Sequence, residues 1–194
     1  MSKTRKLLLT VLVIGIVGAL AGVGTFSAFS ATTVNSGNDF AAGTVYLTDN
    51  DAGSAMYNVS GQAPGAALVR CITVTYTGSL DADVKLYASA VGALGDYVDL
   101  EIEKGTGAVP FGAGCAGFSS DGTIYNDTLG NFAATHTGWG NGLAVNPGAQ
   151  TEWVQNDAVV FRFTLTLQDD NAANGGAVAL STGEHSYTWE AQNN

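Results

Sequence analysis

Basic residues are scarce in this chain: seven Lys and Arg stand against seventeen Asp and Glu, a formal charge of −10 over 194 residues. Three of the seven, Lys3, Arg5 and Lys6, sit in the first six positions. Beyond residue 28 only Arg70, Lys85, Lys104 and Arg162 remain against all seventeen acids, a formal charge of −13. Such a surface repels nucleic acid and anionic lipid, and argues against both as partners. Histidine is rarer still. Neither His136 nor His185 lies in H-E-x-x-H; Glu184 precedes His185, but no second His follows at helical spacing. There is no G-x-S-x-G to carry a serine nucleophile. The two cysteines, Cys71 and Cys115, are spaced far outside C-x-x-C, which removes a thiol-exchange motif. The sequence therefore assigns no catalytic residue and no organic cofactor.

Only one long apolar run is present, "LLLTVLVIGIVGALAGV" from Leu7 to Val23, directly after the three basic residues. A basic stretch, an apolar stretch and then small residues follow the order of a secretory signal peptide, here residues 1–28. The alternative is a helix retained as an anchor, for which seventeen residues is the lower limit. Export follows from either reading, and contact with membrane is expected only through this segment before cleavage. In an oxidising compartment Cys71 and Cys115 are expected to pair, the alternative being two free thiols.

Helical periodicity is almost missing beyond Ala42, and period-2 alternation replaces it. Leu68, Ile72, Val74 and Tyr76 fall on one face; so do Val84, Leu86 and Ala88, and Val98, Leu100 and Ile102. Val159, Phe161, Phe163, Leu165 and Leu167 make the longest series, and Tyr187, Trp189 and Ala191 the last. One wet face and one apolar face is the pattern of antiparallel sheet. With "GTVYLT" and "AMYNVS" added, about seven strands are predicted, separated by Gly, Asn, Asp and Ser clusters. The expected fold is an all-β, antiparallel two-sheet sandwich of jelly-roll type over residues 43–194, preceded by a signal helix. Two glycine-rich stretches, "GTGAVPFGAGCAGFSSDG" and "HTGWGNGLAVNPGAQ", read as long loops, and one short helix is predicted around "YNDTLGNFAAT", capped by Asp127 or Thr128.

Three features outside the strands are candidate binding sites. The acidic loops "LTDNDAGS" and "LQDDNAANGG" offer Asp49, Asp51, Asp169 and Asp170, hard oxygen donors of the kind calcium takes. Neither completes the EF-hand pattern, and "NDAG" also reads as a turn joining two strands. Asn58 in "NVS" and Asn126 in "NDT" match the N-glycosylation sequon. Trp139, in its glycine-rich loop, is either an exposed contact for glycan or partner, or a plug over one end of the sandwich.

The stretch "GTFSAFSATTVNSGNDFAAGTVYLTDND" resembles the N-terminal region of TasA/camelysin-like secreted bacterial proteins. In these an apolar signal ends in G-T-(aromatic)-(small)-A-F, and an F-A-(small)-G-T-(aliphatic)-x-L strand follows. "APGAALVRCITVTYTGSLDADVKLYA" and "HSYTWEAQN" are similar to later parts of the same family, and the cysteine pair to an actinobacterial-type branch of it. The resemblance implies cleavage by a dedicated signal peptidase between Ala28 and Phe29, or else after Ala31. It implies a jelly-roll subunit of an extracellular biofilm or surface fibre, a homopolymer in which one subunit's N-terminal segment completes the sheet of the next. The donor would be residues 29–42, with Phe29, Val34 and Phe40 as pocket fillers. Other relatives carry a metallo-endopeptidase label, for which this sequence supplies no recognisable ligand set. A monomeric module that binds glycan or a surface partner is the third reading.

Overall fold

The computed structural model describes residues 3–24, 42–170, 173 and 180–193. The chain divides into two compact units, Met1–Ala41 and Ala42–Asn194. In the first, helix α1 (Lys3–Gly24) takes up the apolar run, and its Leu7, Leu8 and Leu12 are exposed. Thr10, the one hydroxyl in that run, donates to the Lys6 carbonyl at 3.0 Å, so the helix carries it without an unpaired group. The segment assigned above to strand donation, with Ala28, Phe29, Val34 and Phe40, lies outside the described residues.

The second unit is built from strands: β1 (Leu47–Asp49), β2 (Ala67–Tyr76), β3 (Asp83–Ala88), β4 (Val98–Thr106), β5 (Gly112–Ala113), β6 (Ser119–Thr128), β7 (Leu143–Ala144), β8 (Ala158–Leu167) and β9 (Tyr187–Gln192). Every pairing among the described residues is antiparallel. The larger sheet runs β1-β2-β8-β4-β6, with β5 also paired to β2; the smaller runs β7-β3-β9. Register follows the alternation in the sequence. Val74 stands opposite Val159, Ile72 opposite Phe161, and Leu100 opposite Leu165, so each strand turns the same parity inward.

Both sheets contribute to one core. Ile72, Val74 and Tyr76 of β2, Leu100 and Ile102 of β4, and Phe161 and Phe163 of β8 pack with Val84 and Leu86 of β3. Ring contacts join the layers: Phe163 lies 4.7 Å from Tyr187, and Phe161 5.4 Å from Trp189. The arrangement is compatible with a two-sheet sandwich. Trp153 is fully buried and donates its indole N–H to the Val145 carbonyl at 3.2 Å.

Three local expectations are corrected. "AMYNVS" forms no strand; residues 55–60 are loop, with only Met56 and Tyr57 packed against the core. The "NDAG" turn, closed by Ser54 N–H donating to the Asp51 carbonyl at 3.0 Å, therefore leads from β1 into a loop. The stretch predicted as loop and early helix, residues 119–128, is instead the ten-residue strand β6. Helix α2 (Leu129–Thr135) begins only after it, with the Thr128 hydroxyl accepting from Asn131 N–H at 3.1 Å as N-cap.

Candidate functional site

Antiparallel sheets end in edges, and an edge strand displays unpaired N–H and C=O groups unless something covers them. In the larger sheet the outer edge of β2 is covered piece by piece. β1 pairs with Val74–Tyr76 and β5 with Arg70 and Cys71. At Thr73, between them, the Asn50 side chain takes over: its Oδ1 accepts from Thr73 N–H at 2.9 Å, and its Nδ2 donates to the Val109 carbonyl at 3.3 Å. Cys71 and Cys115 are joined by a disulfide, Cα to Cα 5.5 Å, which binds the loop carrying β5 onto β2. Cys71 is fully buried with Val109 and Val160 in a small second cluster, against which Phe118 and Cys115 pack. Gly107 opens this loop at φ +132, and a Cβ there would meet the Gly117 carbonyl oxygen at 2.1 Å, so only glycine fits.

At the far side of the larger sheet, β6 is protected by composition. It carries Ser119, Ser120, Asp121, Asn126 and Asp127, most of its length is exposed, and its pairing with β4 is interrupted by two register shifts. Charge and irregularity both discourage a foreign strand.

β9 is less protected, with Glu190 its one charge. It pairs with β3 on one side, and among the described residues no strand pairs with its other side. Beside that edge lies a cleft of about 260 Å³ between β9 and β1, lined by Leu47, Thr48, Asp49, Asp51, Ile72, Val74 and Tyr187–Trp189. Its walls combine the apolar floor of β2 with two aromatic rings and an acidic rim. The indole N–H of Trp189 is buried and meets no acceptor among the described residues. Burial raises the Asp49 carboxyl above its ordinary value, partly offset by the Asp51 N–H, while the Asp51 side chain raises it further.

A polar network lies at the head of β9. The Nδ1–H of His185 donates to the Gly183 carbonyl at 3.1 Å, so in the neutral imidazole Nε2 accepts from the Tyr57 hydroxyl at 2.6 Å. Tyr57 in turn accepts from the Tyr187 hydroxyl at 2.9 Å. Burial pushes Tyr57 up to about 12 despite that hydrogen bond, and holds Tyr187 well above its ordinary value, with Tyr57 adding to the effect. Through Tyr57 the loop after β1 is strapped to β9.

The other residues singled out from the sequence are dispersed. Asp49 Oδ1 accepts from Asp51 N–H and Asp51 Oδ1 from Gly53 N–H, both as turn contacts. Asp49 stands on β1 level with Val159, while Asp169 and Asp170 follow Leu167 at the other end of β8, so roughly 25 Å of strand separates the two acidic loops. His136 Nδ1 bonds the Asn141 carbonyl at 2.7 Å, and its ring packs on Phe132. Trp139 is half-buried, with Lys85 Nζ 4.8 Å from its ring centroid and bonded to its carbonyl. Asn58 and Asn126 are exposed.

Residues 3–93 match the family model described as camelysin metallo-endopeptidase. That stretch holds α1, β1, β2 and β3, so the resemblance to TasA/camelysin-like proteins stands on the N-terminal part of the chain. No curated protein matches the chain. The family's description implies a metal. The donor set does not fit one: among the described residues no three His, Cys, Asp or Glu side chains come together, the two histidines are engaged as above, and both cysteines are spent in the disulfide. Sequence reasoning missed the cleft, because it is assembled from residues 47–51, 72–74 and 187–189. The signal within reach was the alternating apolar face of "HSYTWEAQ".

Proposed function

We propose that this chain is a secreted structural subunit of an extracellular surface or biofilm-matrix filament, a jelly-roll-type sandwich assembled by donor-strand exchange. Residues 1–28 are its signal peptide, cut between Ala28 and Phe29, and residues 29–42 are the donor. The carrying observation is the edge of β9, which no strand covers among the described residues, beside a cleft floored by Ile72 and Val74 and rimmed by Asp49 and Asp51. An extended segment on that edge gains backbone hydrogen bonds, and its alternate side chains enter the cleft. Val34 and Phe40 have the same parity, so one face of the donor would present both.

Deleting Phe29–Ala42 should leave a folded monomer. Electron microscopy of the purified truncated chain is expected to show no filaments, and filaments from it would sink the reading. The family's description keeps a second reading in view, a metal-dependent secreted endopeptidase. Chelator-sensitive cleavage of casein, lost on His136→Ala or His185→Ala, would replace the first reading with this one.

A further inference from the structure

The cleft wall and the disulfide loop follow one another along the outer edge of β2, and one side chain touches both. Asn50 sits between Asp49 and Asp51, two residues of the wall. Its amide spans Thr73 N–H on β2 and the carbonyl of Val109, inside the loop that Cys115 fastens. β1 itself has only three residues and three paired partners. A strand that short has little hold of its own, so its place depends on the contacts of the residues just after it, Asn50 first among them.

The loop is also a sprung part. Cys115 is held at φ +40, a left-handed conformation that non-glycine residues adopt at a cost. Gly107, Gly112, Gly114 and Gly117 around it are all at positive φ, so the loop is entropically expensive to order. Besides the disulfide it is held by the two-residue pairing of β5, by burial of Val109, by Phe118 packed on the same cluster under Arg162, and by Asn50.

We infer that the Cys71–Cys115 disulfide controls the β1 wall of the cleft through Asn50, making the cleft redox-sensitive. As regulation of strand acceptance this rests on the filament reading; the coupling itself does not. An external dithiol acts by exchange. Its thiolate attacks the sulfur of half-buried Cys115, and the Cys71 thiolate leaves. The second thiol of the reagent then displaces Cys115, closing the reagent's own disulfide, and the two cysteines take up the two protons. The freed loop relaxes at Cys115, the Val109 carbonyl withdraws from Asn50, and β1 loses its lower support.

Hydrogen exchange read by mass spectrometry on the purified chain tests this. Reduction by a dithiol should speed exchange in the peptide covering residues 44–52 by about tenfold, while β4 and β8 stay protected. Asn50→Ala, with its disulfide intact, should show the same fast exchange, and reduction should then add nothing. Unchanged exchange at 44–52 on reduction would overturn the inference. So would an equal rise in β4 and β8, which means general loosening, or a further tenfold rise when Asn50→Ala is reduced. Filaments need not form for any of these readings.

Discussion

The outer edge of β2 and the outer edge of β9 border the same cleft from two different sheets, and they are finished in opposite ways. Along β2, two short strands, an asparagine side chain and a disulfide-tied loop account for the groups from Arg70 to Tyr76. Along β9, Tyr187–Gln192 meets no strand on its outer side among the described residues. Both strands carry the alternating apolar pattern that invites pairing, so intrinsic strand propensity does not explain the difference. One edge is closed by covalent and local means, the other meets no strand among the described residues.

The comparison can be broken at the closed side first. Replacing both cysteines by serine removes a constraint across 44 residues of sequence, and should cost about 4 kcal/mol in chemical denaturation, less any relief of native strain. A loss near zero would mean that β1, Asn50 and β5 hold the edge unaided.

At the head of β9, Tyr57→Phe removes the hydroxyl that bonds His185 and Tyr187, at a cost of about 1 kcal/mol near neutral pH. The pH dependence has a defined sign. Burial raises Tyr57 from 10 to about 12 on folding, so the folded state favours the neutral phenol. The associated stability is whole below pH 10 and is lost as pH rises through 12. A denaturation series from pH 9 to 12 should fall less steeply in Tyr57→Phe than in the parent chain.

The smallest expected effect on stability lies at the open side. Thr188→Lys places a charge on the outward face of β9 at its open edge, where it should change folding stability by less than about 0.5 kcal/mol. The same change should stop filament growth, because an edge lysine must be desolvated by any strand that docks. Marked destabilisation would show that Thr188 is covered within its own subunit.

Much of the fold was legible because long-range pairing wrote a local pattern. Val159 to Leu167 alternates over nine residues, and that strand lies at the centre of the larger sheet with β2 and β4 on either side. The short helix announced itself through Thr128 as its cap. β6 left no such trace. As an exposed edge strand it needs no apolar face, and Ser119–Gly122 reads as loop in any local window. The cysteine pair was legible because the expectation of export, drawn from the basic and apolar N-terminus, limits what two cysteines can do. The cleft was not, since its three stretches meet only after both sheets form.

The central claim, that one subunit's N-terminal segment seats on the next subunit's β9, is tested most directly by cross-linking. A photo-reactive amino acid at Val34, activated in assembled filaments and mapped by mass spectrometry, should attach to residues 187–192 or 47–51 of a neighbouring subunit. Attachment to Ser119–Thr128 of β6, or filaments in which Val34 reaches no neighbour at all, would contradict it.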